Sequence, residues 1–402
     1  MIETTGDPSG LTSGWLKKYL ETTSGTRFPA SFHLLCGIFA LSSTVGRKAC
    51  VRRGGFRLFP PTSIFLLGSS GVGKSKALQT ARTLVRMVAG DRPGFSILHA
   101  SSFTTRGLMD AWGRAQTDAN AGFLEGIVTV NEASAILTAK TGTETMAQWI
   151  IDLLEHENIE DWTGKSGHSI VKNVTVALGI CSTVDYLRKS ITVDQFAGGL
   201  MHRFLIAHET TRPDVDEKPI LNEDLNDLAQ ELRSITDEAP EYMAVAKDAE
   251  ILIAAFGRQA ERRNISSTYL SGFWNRYSML LARVGTSFAL SDGLYQIERR
   301  HVEAADALLR NFIYPPLEAF VIEMSYGPKQ QTLFRLADEL FLAGEKGMSE
   351  TDFKRKMPTT SGRAAQEMLD FLVSLGCVFW NPRRKGLDGR VWRFEKWKEG
   401  GN

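Results

Sequence analysis

The sequence predicts an α/β protein whose centre is a parallel sheet covered by helices. Three observations carry that expectation. Between residues 60 and 207 short β-rich apolar runs alternate with helical stretches; a glycine-rich run, Gly68 to Ser75, joins the first of those strands to a helix; and residues 225 to 325 turn wholly helical. Alternation of this kind belongs to parallel strands joined by crossover helices.

The expected strands are Ser63–Leu67, Ser96–His99, Ile127–Val130, Val174–Ile180 and Phe204–Ala207. Ahead of them, residues 11 to 46 read as helical, with Pro29 suiting the start of the helix that carries the apolar run Phe32–Ala40. Lys48–Arg52 and Phe56–Phe59 flank Arg53-Gly54-Gly55 as a hairpin. Its Arg52, Arg53 and Arg57 suit either nucleic acid or a plain solvated hairpin. After a polar connector, His208 to Asp224, the expected helices are Asp248–Asn264, Tyr269–Ala289 and Glu298–Tyr314, the last ended by Pro315-Pro316. At 402 residues the chain exceeds the size at which one core stops growing. It divides on this reading into an N-terminal helical region with a basic hairpin (1–59), a sheet-bearing core (60–207), a helical region (208–327) and a terminal module (328–402).

Composition narrows the classes of function. Hydrophobic residues make up 43% and charged residues 23%, as in an ordinary globular protein, and the net charge of +1 advertises no whole-protein field for nucleic acid. Cys36, Cys50, Cys181 and Cys377 are scattered, which argues against a zinc site or a disulfide framework and fits a reducing cytoplasm. The most apolar segment, Phe32 to Val45, is too short to span a bilayer, so no membrane partner is expected.

The chemistry is carried by Gly68-Ser69-Ser70-Gly71-Val72-Gly73-Lys74-Ser75, which meets G-x-x-x-x-G-K-[ST] at every fixed position. Glycines let backbone N–H groups turn in around a polyphosphate, and the helix that follows adds its N-terminal dipole. Lys74 is expected to reach the β- and γ-phosphates and the Ser75 hydroxyl to hold Mg²⁺, so ATP with Mg²⁺ is the expected cofactor pair. A carboxylate at the end of a neighbouring strand must orient the attacking water. Ile127–Val130 ends in Asn131-Glu132, making Glu132 the candidate. Asn131 stands where a metal-binding Asp is usual; its amide oxygen can still accept from a metal-bound water. The strand through Ile180 ends at Cys181-Ser182-Thr183, where either hydroxyl can sense the γ-phosphate or cap a helix.

Further candidates lie outside that centre. Glu160–Thr163 and His168–Lys172 flank Gly164-Lys165-Ser166-Gly167 as a second hairpin, with Lys165 at its tip beside Trp162 and His168. A positive tip next to a stacking surface suits single-stranded nucleic acid, although a Trp there also serves as a core anchor. Gly198-Gly199-Leu200-Met201-His202-Arg203-Phe204 puts Arg203 ahead of the last strand, either as a finger reaching a γ-phosphate across a subunit boundary or as half of an internal ion pair. On the long helical stretch Arg276 and Arg283 lie near one face, and Arg283 is the candidate to fold over the nucleotide.

The terminal module reads as three helices, Gln330–Leu342, Ser349–Lys356 and Ser361–Leu375. Strands Cys377–Asn381 and Arg390–Phe394 follow, the order of a winged helix. Residues 329 to 402 hold 14 Lys/Arg against 10 Asp/Glu, and Arg383, Arg384 and Lys385 cluster on the expected wing as candidates for DNA contact.

In this order of parts, residues 25 to 320 resemble the AAA+-type ATPases of phage, plasmid and integrated-element replication proteins, including the helicase portions of primase-helicases. The resemblance rests on Phe28-Pro29-Ala30-Ser31-Phe32-His33, Gly68–Ser75, Asn131-Glu132 and Gly198–Phe204. The architecture is also similar to that of minichromosome-maintenance helicases. It implies an AAA+ P-loop core with a helical lid and a winged helix, and roles for Lys74, Ser75, Glu132 and Arg203 as above. Lys165 becomes a translocating residue in a ring, most often of six subunits, that acts on single-stranded and forked DNA. Asn131 departs from the family pattern. The resembling stretch holds no primase domain, so a separate primase or replication partner is left as a candidate. Two other classes stay open: an ATP-regulated assembly factor on DNA, such as a helicase loader or transposition ATPase, and a mechanical ATPase acting on protein.

Overall fold

The computed structural model describes residues 8–100, 105–137, 143–155, 159–163, 167–190, 199–263 and 270–325, with three strand segments near the end of the chain. Two compact units divide it, Met1–Val321 and Ile322–Asn402. In the first, helices α1 (Gly14–Thr23) and α2 (Ala30–Val45) lead into a hairpin of β1 (Val51–Arg53) and β2 (Phe56–Leu58). Then come β3 (Ser63–Gly68), α3 (Lys74–Ala89), β4 (Phe95–Ala100), α4 (Thr105–Asp118), β5 (Leu124–Val130), α5 (Ser134–Leu137) and α6 (Thr143–Glu155). A second hairpin, β6 (Ile159–Thr163) with β7 (Gly167–Val171), precedes β8 (Val174–Ser182), α7 (Val184–Ser190) and β9 (Phe204–Glu209).

All five expected strands form one parallel sheet in the order β4-β5-β8-β3-β9. Every residue of β3 and β5 is buried, which is why these strands read as unbroken apolar runs: both sheet faces are covered. From β3 the chain crosses past β8 and β5 to β4, then steps back through β5 and β8 and passes β3 to reach β9. Right-handed crossovers therefore put α3 on one face and α4 to α7 on the other. The chain leaving β3 turns to one face and the chain leaving β8 to the other, so a crevice opens between their carboxyl ends.

Helices α8 (Asn222–Glu238), α9 (Lys247–Arg263), α10 (Ser271–Ser291) and α11 (Arg299–Leu308) were expected as a region apart from the N-terminal helices. They are instead packed with them. The indole Nε1 of Trp15 donates to the Leu228 carbonyl at 2.9 Å, and the Leu16 N–H to Ser291 Oγ at 2.8 Å. The reason lies in α2, which is apolar all round and buried along nearly its whole length; it needs cover from the sheet on one side and from other helices on the rest. Pro315-Pro316 also behave differently from expectation. A π-turn, Leu309–Ile313, follows α11 with no break in helical backbone and leads directly into α12 (Tyr314–Ser325), which carries the prolines; the widened turn is where the hydrogen-bond ladder accommodates the two missing N–H groups.

In the second unit Met348–Ser349, Val391–Arg393 and Phe379–Asn381 form a three-stranded antiparallel sheet, with Trp380 opposite Trp392. The two strands expected to flank the basic loop are thus paired; Arg383, Arg384 and Lys385 lie outside the described residues. No helix among the described residues is long and apolar enough to cross a membrane.

Candidate functional site

At the carboxyl end of the sheet, Gly68–Ser75 turns from β3 into α3. Gly73 caps that helix with φ +107°, a left-handed conformation, and a Cβ there would collide with the Phe28 ring. Lys74 is 8% exposed, and its Nζ donates to the Gly68 and Ser69 carbonyls at 2.8 and 2.7 Å. Burial draws the Lys74 ammonium below its usual pKa, against the pull of Cys181 and of Glu132 nearby. On the connector after β9, Arg212 Nε donates to the Gly71 carbonyl, placing a second cation beside the loop.

Next to the loop, β8 and β5 deliver their terminal residues. Ser182 Oγ donates to Glu132 Oε1 at 2.6 Å, so the candidate carboxylate is held by the hydroxyl of the intervening strand. The Thr183 hydroxyl instead accepts the Tyr186 N–H at 3.4 Å in the first turn of α7. Two residues that the sequence leaves equivalent are thereby separated: Ser182 bonds Glu132 and Thr183 caps a helix. Ser75 hydrogen-bonds the buried Cys181 thiol, whose pKa burial pushes up to about 12 despite the Lys74 charge.

Ser75 and Asn131 line one cleft of 270 Å³ with Arg82, His99 and Thr129. The Asn131 amide is held from behind: Nδ2 lies 3.4 Å from His99 Nε2, and His99 Nδ1 lies 3.0 Å from Thr129 Oγ1. Thr129 gives its only hydroxyl proton to the Leu98 carbonyl, so His99 donates through Nδ1 and accepts Asn131 N–H through Nε2. The Asn131 carbonyl oxygen is left as an acceptor. A hydroxyl and an amide oxygen in one cleft fit Mg²⁺ held largely by phosphate oxygens and water. His99, Thr129 and Arg82 escape sequence reading, and the signal for them was small. Thr129 and Asn131 share one face of a strand by period-two spacing, and His99 pairs with Thr129 in register.

The remaining arginines lie elsewhere. Arg203 immediately precedes β9, whose first residue, Phe204, pairs with Ser63 at the start of β3. It is therefore at the amino end of the sheet, about 20 Å from the Gly68–Ser75 loop along a six-residue strand. Arg203 Nη2 and Arg276 Nη2 each reach Glu155 Oε1 at 2.6 Å, and Arg203 also donates to the Gly199 carbonyl. Burial pushes Glu155 upward, but its bonds to Arg203 and Arg276 outweigh that and hold it below the usual carboxylate range. Arg283 is at this end too. Its Nε donates to the Phe59 carbonyl at 3.2 Å, and the expectation that it folds over this chain's own nucleotide does not hold. The helix face that carries it meets the amino ends of the strands.

Of the candidate nucleic-acid residues, Trp162 and His168 stand directly opposite each other on β6 and β7, while Lys165 lies outside the described residues. In the first hairpin, Arg52 lies over the Tyr242 ring at 4.0 Å and Arg57 reaches Glu241 at 4.0 Å, which ties that hairpin to the helical layer.

No protein-family model matches the chain, and no curated protein matches it with significant similarity.

Proposed function

We propose that the protein is an ATP-driven, ring-forming translocase of single-stranded DNA, with an AAA+ core, that hydrolyses ATP between adjacent subunits. One observation carries the reading: the groups suited to hydrolysis are divided between the two ends of the same strands. Lys74, Ser75, Asn131, Glu132 and Ser182 surround the carboxyl-end crevice, while Arg203 lies about 20 Å away at the amino end. An arginine that far off cannot serve its own phosphate loop, whereas a head-to-tail ring brings it to a neighbour's.

In this reading the Gly68–Ser75 amides and Lys74 hold the β- and γ-phosphates. Ser75 and Asn131 hold Mg²⁺, which when bound neutralises charge on the phosphate oxygens. Glu132, steadied by Ser182, orients the attacking water and accepts its proton. A neighbour's Arg203 offsets the charge spread over the transferred phosphoryl group. The β6–β7 hairpin favours translocation over a loader, which needs no moving loop.

Unwinding of a forked duplex tests this. Wild type should unwind with DNA-stimulated ATPase, and Lys165→Ala should keep hydrolysis while losing unwinding. Equal unwinding by Lys165→Ala and wild type would move the assembly-factor reading ahead, and ATPase indifferent to DNA would favour action on protein.

A further inference from the structure

The amino end of the sheet holds the larger concavity, 1120 Å³ against 270 Å³ for the cleft beside Ser75. Six arginines line it: Arg47, Arg53, Arg57, Arg203, Arg276 and Arg283. Glu155 is the one acid among its lining residues. A single carboxylate oxygen of Glu155 meets three N–H groups, Arg203 Nη2 at 2.6 Å and Arg276 Nη2 and Nε at 2.6 and 3.1 Å. The Arg203 side chain is 7% exposed, and its Nε has no hydrogen-bond partner. A guanidinium so buried needs an opposing charge, since a lone charge out of water is costly. Burial lowers the Arg203 pKa and Glu155 opposes that shift, in keeping with this geometry.

We propose that Glu155 is a displaceable counter-ion: it holds Arg203 and Arg276 together in the free chain and yields them to the polyphosphate of a nucleotide carried by a second copy. This rests on the reading of hydrolysis between subunits. A triphosphate has what Glu155 lacks, several charged oxygens arranged to accept from two guanidinium forks at once. The arginines converge on one point, which suits a phosphoryl group more than a strand that must be tracked along a groove. Glu155 is a positioning residue in this scheme and sets the threshold at which the finger is released.

The test uses the full chain with Lys74→Ala, which silences its own phosphate loop, titrated with inorganic tripolyphosphate in a calorimeter. Adding Glu155→Gln should tighten binding about tenfold, a typical coupling between two ligands competing for one site. Adding Arg276→Ala should weaken it. The same affinity in all three proteins would overturn the proposal. So would an equal tightening of a single-stranded oligonucleotide, which would make the cavity a nucleic-acid surface. Should Glu155→Gln fail to fold, Arg276→Ala alone decides, with unchanged affinity as the contrary result. Light scattering of wild type with ATP is measured alongside. A chain that never assembles sinks the ring reading, and the titration then judges the counter-ion exchange by itself.

Discussion

The two ends of the central sheet use opposite strategies for placing charged groups. At the carboxyl end each polar group has a near neighbour: Lys74 bonds carbonyls five and six residues away, and Ser182 meets Glu132 across adjacent strand ends. At the amino end the charges come from distant stretches: Arg203 and Arg276 meet on the Glu155 carboxylate, and Arg53 and Arg283 line the same cavity. On our proposal the first end receives phosphate, with Lys74 resting on the loop's own carbonyls until it does. The second holds an excess of positive charge, six arginines to one acid, whose complement on our proposal lies outside the chain.

If both ends serve one reaction, the largest effects should come from the residues that meet the transferred phosphoryl group. Arg203→Ala should lower ATP turnover by about 10³–10⁵, far more than it weakens nucleotide binding, read by steady-state ATPase and equilibrium binding. Glu132→Gln should lower turnover by about 10²–10⁴ and also keep binding, trapping the ATP-bound form. Turnover at the wild-type rate in Glu132→Gln would remove β5 from the site.

Acid should separate the two ends next. His33, 1% exposed, gives Nε2–H to Thr26, whose own proton goes to the Thr23 carbonyl; its buried Nδ1 has no partner among the described residues, and burial keeps the ring neutral and lowers its pKa to about 4. A folded-state pKa below the unfolded 6.5 means that the unfolded chain binds the proton first. The associated stability is present above pH 6.5 and is lost as pH falls towards 4, about 3 kcal/mol in all. His33 packs against Phe28, which backs Gly73, so hydrogen exchange should show the phosphate loop loosening in that window. Glu155, held low by its arginines, should keep the amino end paired over the upper part of the same range. Equal loosening at both ends would contradict this.

The smallest effects concern two adjacent hydroxyls. Ser182→Ala should reduce turnover by about tenfold, the worth of one charge-assisted hydrogen bond, with little change in melting. Thr183→Ala should cost about 1 kcal/mol of stability as a lost cap and leave turnover alone. The reverse pattern, read from paired ATPase and thermal melts, would exchange their roles.

This contrast also explains what was legible. Five strands, the Gly68–Ser75 turn into α3 and both hairpins follow from patterns a few residues long, because burial on two faces and tight turns impose local rules. The carboxyl-end site was legible for the same reason, since strand ends and a helix start supply it. Ser182 and Thr183 were not separable, because which side chain meets Glu132 depends on where the helix after β8 begins. Arg283 was misplaced because its helix face is fixed by contacts with Phe59, 224 residues away. Glu155 gave no signal at all, being one acid at the end of an ordinary amphipathic helix. The merging of the N-terminal and later helices was hidden because an apolar run such as α2 says that it is buried but not by what.

The central claim is that the two ends complete one site only when copies meet, and mixing inactive subunits tests it most directly. Lys74→Ala spoils the carboxyl end and Arg203→Ala the amino end, and each keeps the half that the other lacks. Combined in varying ratios, with assembly checked by light scattering, the mixtures should regain ATPase activity that peaks at intermediate ratios and rises with total protein concentration. Assembled mixtures that stay inactive at every ratio would contradict the account.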